Sequence, residues 1–187
     1  MSKMTTTRLL CIGDSLTYGY EIEPSKRWTN LLEKDLKIKV FNFGINGDTT
    51  SGMLSRFSEA IKTKRPTHTL IFGGTNDLSF GLTNEFIISN VYAMCKQALY
   101  FNVLPIIVIP TPCFNLNELN FKEENYAERI LSFQEVLMQF CSSKDIKYIN
   151  FSDDLTSDCF MDDGMHYNEK GHKIIADHFR ETLRILG

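Results

Sequence analysis

Arg8-Leu9-Leu10-Cys11-Ile12 runs directly into Gly13-Asp14-Ser15-Leu16, and this stretch decides the fold. Four apolar side chains in succession leave no polar face, which suits a parallel strand covered on both sides. The residues behind it punctuate the run, since Gly, Asp and Ser favour a turn or a helix N-terminus. Four further runs of the same kind follow at Ile38 to Phe43, Thr69 to Phe72, Val103 to Ile109 and Ile146 to Phe151. Pro105 stands near the start of the fourth, where a missing N–H is tolerated.

Amphipathic segments fill the intervals. Leu54, Phe57 and Ile61 fall on one helical face, as do Ile87, Val91, Met94 and Ala98. Tyr126, Ile130, Phe133, Leu137 and Phe140 make a third stripe, Ile175, Phe179 and Leu186 a fourth, and Trp28, Leu32 and Leu36 a shorter one. Strands alternating with helices in this way predict right-handed βαβ units. The expected architecture is α/β: a five-stranded parallel sheet in a three-layer α/β/α sandwich, flavodoxin-like. No repeat, low-complexity tract or linker interrupts the pattern, so residues 1–187 read as a single domain. In such sheets the ligand site lies beyond the carboxyl ends of the strands.

Composition narrows the function. The 187 residues are 43% hydrophobic and 23% charged, with a net charge of -3, ordinary for a globular protein and no footprint for a nucleic-acid partner. Lys62, Lys64 and Arg65 form the only tight basic group, at the expected end of a solvated helix. Cys11, Cys95, Cys113, Cys141 and Cys159 are odd in number and lack CxxC spacing, which argues for reduced thiols over a disulfide framework or structural zinc. The run Leu9 to Ile12 is too short for a signal peptide, and no stretch reaches membrane-span length. Asn150-Phe151-Ser152 matches a glycosylation sequon, which has meaning only in a secreted protein. These features point to the cytoplasm.

Three loops converge on the carboxyl edge. Gly13-Asp14-Ser15-Leu16 follows the first strand. Gly73-Gly74-Thr75-Asn76-Asp77 follows the third. Asn42-Phe43-Gly44-Ile45-Asn46-Gly47-Asp48 ends the second, where Gly47 offers a backbone N–H with no side chain in the way. Taken alone, Gly13-Asp14-Ser15 is better explained as a helix N-cap, and Gly73-Gly74-Thr75-Asn76-Asp77 reads either as a strand-to-helix turn or as an Asn amide donor held beside the serine. Asp162-Asp163-Gly164-Met165-His166 precedes the last helix, and an Asp three residues before a His can hold its Nδ1 proton, leaving Nε2 free to accept one. A polar loop capping that helix through Asn168 would account for the same residues, as would a mononuclear metal at Asp162, Asp163 and His166, although no second His or Cys has ligand spacing. His68, His172 and His178 lack an Asp at comparable spacing before them and read as structural or solvated.

Gly13-Asp14-Ser15-Leu16, Gly47, Gly74-Thr75-Asn76-Asp77 and Asp163-Gly164-Met165-His166, in that order, resemble the four sequence blocks of the GDSL or SGNH hydrolases. Thr111-Pro112 resembles a proline-containing loop common among them. Tyr167 departs from the proline or leucine of many relatives, a change expected to affect loop packing. The resemblance implies Ser15 as nucleophile, Asp163 and His166 as its partners, and an oxyanion hole made of the Ser15 N–H, the Gly47 N–H and the Asn76 side chain. The implied activity is hydrolysis of a small-molecule acyl ester through an acyl-serine intermediate, without cofactor or metal. Thioesters, lysophospholipids and acetylated sugars fall to the same parts. The α/β-hydrolase signature Gly-x-Ser-x-Gly is absent, because Thr17 stands where its second Gly belongs. A non-enzymatic flavodoxin-like binding or signalling module is the rival reading; no nucleotide-binding glycine signature occurs. The connection from Pro110 to Lys122 is long for its place and carries Phe114, Leu116, Leu119 and Phe121. It either packs onto the domain or, through Phe114 and Leu116, borders the substrate pocket.

Overall fold

The computed structural model describes residues 7–114 and 118–186. Five parallel strands form one sheet in the order β2-β1-β3-β4-β5: β1 Arg8–Gly13, β2 Lys39–Gly44, β3 His68–Phe72, β4 Leu104–Val108 and β5 Tyr148–Ile149. The helices are α1 Ser15–Tyr18, α2 Trp28–Leu36, α3 Thr50–Lys64, α4 Thr75–Ser79, α5 Asn84–Tyr100, α6 Tyr126–Ser143 and α7 Glu169–Leu186. The expected α/β/α sandwich is present.

The continuous apolar runs have a direct cause. Leu10 and Ile12 of β1, Ile71 of β3 and Ile107 of β4 point into a core shared with α3, α5 and α6. Their neighbours Leu9, Cys11, Leu70, Phe72, Ile106 and Val108 point into a second core, under α2 and α7. With both faces covered, no polar alternation can appear.

Element boundaries differ from the sequence reading where chain ends are committed elsewhere. Val103 donates its N–H to Ala98 at the end of α5, so β4 begins one residue later. Ile146 likewise closes α6 by donating to Cys141, and β5 shrinks to Tyr148–Ile149. The N–H groups of Ile107 and Ile109 reach Lys147, just before β5, and Ile149 in it, while that of Leu104 reaches Thr67 before β3. Pro105 therefore faces the β5 side below the point where β5 starts, and no ladder bond is lost there. On α3 the buried face is Met53, Phe57, Ala60 and Ile61, with Leu54 only half-buried. Met53 claims the inner position because Gly73 leaves room for its methyl end. Leu36 and Phe140 are also half-buried, and the side chain of Leu186 lies outside those described. Lys62 and Lys64 close α3, with Arg65 as its left-handed cap.

From β1 the chain passes outward to β2 and then crosses back past β1 to β3, so the strand order reverses between β1 and β3. In open parallel sheets such a switch point opens a crevice at the carboxyl ends. Ser15 follows β1 and Asn76 follows β3, one on each side of it.

Candidate active site

Asp14 sets the position of Ser15. Its carboxylate, wholly buried, accepts the Leu16 N–H at 2.9 Å as the N-cap of α1 and the Thr75 hydroxyl at 3.0 Å. One side chain thus caps the turn that carries Ser15 and ties it to the loop after β3. Burial pushes its pKa up to about 6, against the pull of those two hydrogen bonds. On the other side, Trp28 donates its indole N–H to the Leu16 carbonyl at 3.0 Å. Capping at Gly13-Asp14-Ser15 therefore falls to Asp14 and leaves Ser15 as the first residue of α1.

Ser15 Oγ lies 2.9 Å from His166 Nε2. Asp163 Oδ2 lies 2.7 Å from His166 Nδ1, while Oδ1 accepts the N–H groups of Met165 and His166 at 2.9 Å each. Partial burial raises the Asp163 pKa, but the imidazole and the two amides outweigh it and hold the carboxyl below its ordinary range. The loop depends on Gly164, which sits at φ +67° with its would-be Cβ overlapping the Phe114 carbonyl. Phe114 returns a hydrogen bond from its N–H to the Gly164 carbonyl at 2.8 Å. Behind it, Tyr167 is fully buried and shares a 2.6 Å hydrogen bond with Thr111, so this departure joins the histidine loop to the Thr111-Pro112 loop.

The third group lies across the crevice. Asn76 donates its Nδ2 to the Asp48 carbonyl at 2.9 Å, which brings its amide beside the Gly47 turn, and its second N–H meets no acceptor among the described residues. Gly47 takes φ +73°, and the space where its side chain would stand is open. Ser15, first residue of α1, has no intrahelical acceptor for its N–H. Asp77 anchors the same loop to the start of α3, accepting the N–H and hydroxyl of Thr50 at 2.9 and 2.5 Å.

Asp162 is exposed and lies outside this arrangement, and Asp163 spends its oxygens on His166 and backbone amides. Among the described residues no group of three His, Cys, Asp or Glu side chains converges as a metal site would require. His172 is buried and accepts the Trp28 N–H, His178 pairs with Asp154 and His68 meets Thr67. Of the long connection, Phe114 packs against Phe160 at 4.9 Å between ring centroids, half-buried behind the histidine loop. Leu116 lies outside the described residues. Leu119 and Phe121 are exposed, the latter stacked on Phe80.

Sequence reasoning missed Tyr20, whose ring lies 4.5 Å from that of His166, and Arg56, which binds the loops from behind. Neither carries a local signal. Tyr20 is 146 positions from its partner, and Arg56 reads as the polar flank of an amphipathic helix.

The model of the GDSL-like Lipase/Acylhydrolase family matches residues 11–174. An arylesterase from Vibrio mimicus is 26% identical over 97% of this chain and 90% of its own length. Thioesterase 1/protease 1/lysophospholipase L1 of Escherichia coli strain K12 is 26% identical over 95% of this chain and 84% of its own. The native aryl esterase of M. smegmatis superposes with a TM-score of 0.86 at 22% identity, covering 97% of this chain and 100% of that one. A non-enzymatic module of the same topology is not favoured by these likenesses. With the family's sequence pattern spanning most of the chain and the fold shared end to end, this protein belongs to the GDSL-like lipase/acylhydrolase family.

Proposed function

We propose that the chain hydrolyses carboxylic esters with Ser15 as nucleophile, His166 as general base and Asp163 as the group that orients the imidazole. One observation carries this reading: Ser15 Oγ, His166 and Asp163 stand in an unbroken hydrogen-bonded line of 2.9 and 2.7 Å. His166 Nε2 takes the hydroxyl proton as Oγ attacks the acyl carbon. The carbonyl oxygen gains negative charge and is met by the N–H groups of Ser15 and Gly47 and the free amide hydrogen of Asn76. The imidazolium returns its proton to the departing alcohol, leaving an acyl-serine. Water then repeats the sequence and releases the acid. The steps call on no cofactor.

The relatives' names support aryl esters, thioesters and lysophospholipids as substrates within this class, and acetylated sugars present the same carbonyl. Phe114, held against the histidine loop, borders the acyl or leaving-group pocket in this reading. Residues 1–187 act together as one hydrolase domain. The cytoplasm is its compartment, a reading supported by five free cysteines, four of them buried; no described helix is long and apolar enough to cross a membrane.

A fluorophosphonate probe tests the central claim. Wild type should label and turn over an acyl-ester panel, whereas Ser15→Ala should do neither while keeping its melting temperature. His166→Ala should lose nearly as much, because such residues act as a unit. Substantial turnover by Ser15→Ala would refute the assignment. On the same panel Phe114→Ser should shift the preferred chain length, and an unchanged profile would reduce Phe114 to packing.

A further inference from the structure

Three acceptors at the edge of the sheet take four hydrogen bonds from one guanidinium. Arg56 sits on α3 one position before the core residue Phe57 and reaches back over the ends of β1 and β2. Its Nη1 donates to the Phe43 carbonyl at 2.7 Å and its Nη2 to the Gly13 carbonyl at 3.1 Å. Nε and Nη2 both donate to Asp48 Oδ2, at 3.0 and 2.6 Å. The pair is largely enclosed, with side chains 22% and 12% exposed for Arg56 and Asp48. Gly52 admits the Asp48 carboxylate, whose Oδ1 would lie 1.9 Å from any Cβ at that position.

The acceptors are next to the groups that meet the oxyanion. Gly13 is two residues before the Ser15 amide. Asp48 directly follows Gly47. The Asp48 carbonyl is also what holds the Asn76 amide. All three donors, which come from three separate loops, are therefore referred to a single planar fork.

We infer that Arg56 is a positioning residue for the oxyanion hole, acting through the Gly13 carbonyl and Asp48. This rests on the catalytic reading above. An exposed ion pair contributes little, but a guanidinium that satisfies a carboxylate and two carbonyls in fixed directions sets distances among them. Lysine would keep the charge and lose the fork. Donors that drift by a fraction of an ångström still admit substrate but meet the developing charge poorly.

Arg56→Lys should therefore lower kcat by about 10- to 100-fold, with KM and melting temperature close to wild type. The penalty should shrink in an Asn76→Ala background, where one of the donors it positions is already gone. If Arg56→Lys proves too unstable to assay, Asp48→Asn carries the same test, since it keeps the backbone carbonyl for Asn76 and removes the charge that fixes it. Wild-type kcat in the folded variant, or an undiminished penalty in the Asn76→Ala background, would overturn the inference. Labelling separates the two layers: a wild type that labels at Ser15 beside an unimpaired Arg56→Lys defeats this inference alone, and a wild type that does not label defeats the catalytic reading beneath it.

Discussion

The Asn76 amide has two hydrogens, and the structure accounts for one. The hydrogen on the Asp48 carbonyl orients the group, and on the catalytic reading proposed above the other meets charge that exists only in the transition state. Interactions of that kind appear in kcat and leave KM nearly untouched. Asn76→Ala should accordingly lose a factor of about 10² to 10³ in kcat, with KM and melting temperature near wild type. A variant that melts early yet turns over normally when folded would make Asn76 a turn former only. At this scale the sequence was most legible where partners are close along the chain. Asp163 and His166 are three residues apart, and a local turn is enough to join them. Arg56 meets Gly13 across 43 positions, a proximity that no spacing rule announces.

Between elements, His172 of α7 serves as an external cap. Its Nδ1 accepts the N–H of Trp28, the first residue of α2, at 3.2 Å, satisfying a donor that the helix itself leaves open. That contact requires the neutral ring. Burial, helped by the nearby Arg27 charge, lowers its pKa to about 4 from an ordinary 6.5. Between those values the unfolded chain binds the extra proton and the folded one refuses it, so this contribution to stability falls as pH drops from about 6.5 to 4, by on the order of 3 kcal/mol in all. Asp14 works in the opposite sense: its folded pKa is raised to about 6, and stability is gained as pH falls through that value. His172→Gln, which retains an acceptor without the titration, should be less stable than wild type near pH 7.5, with the gap narrowing at pH 5. Urea midpoints at the two pH values check this, and a constant gap would remove His172 from the pH dependence. The helices were legible in outline, yet Met53 displaced Leu54 from the inner face of α3. Periodicity finds the face of a helix, but Gly73 on a neighbouring loop decided which side chain had room.

For the molecule as a whole, the order β2-β1-β3-β4-β5 explains why residues from both ends of the chain share one edge. Alternating apolar runs and helical stripes made this fold readable, because burial on both faces of the sheet removes polar alternation from every strand. Strand ends were less readable, as at β5, where the backbone of Ile146 is spent on closing α6. The assembled edge offers a proton relay and amide donors, and Asp163 is already engaged by His166. Protein treated with a chelator and exchanged into metal-free buffer should therefore keep its full rate of ester cleavage. Loss of activity restored by one divalent ion would revive a metal at Asp162, Asp163 and His166. The 151 positions separating Ser15 from His166 also bear on synthesis. On the catalytic reading proposed above, translation makes Ser15 well before His166, so a chain released ahead of the loop before α7 carries the serine without its base. On that reading, ester cleavage begins only once the loop before α7 has been made and has folded beside Ser15.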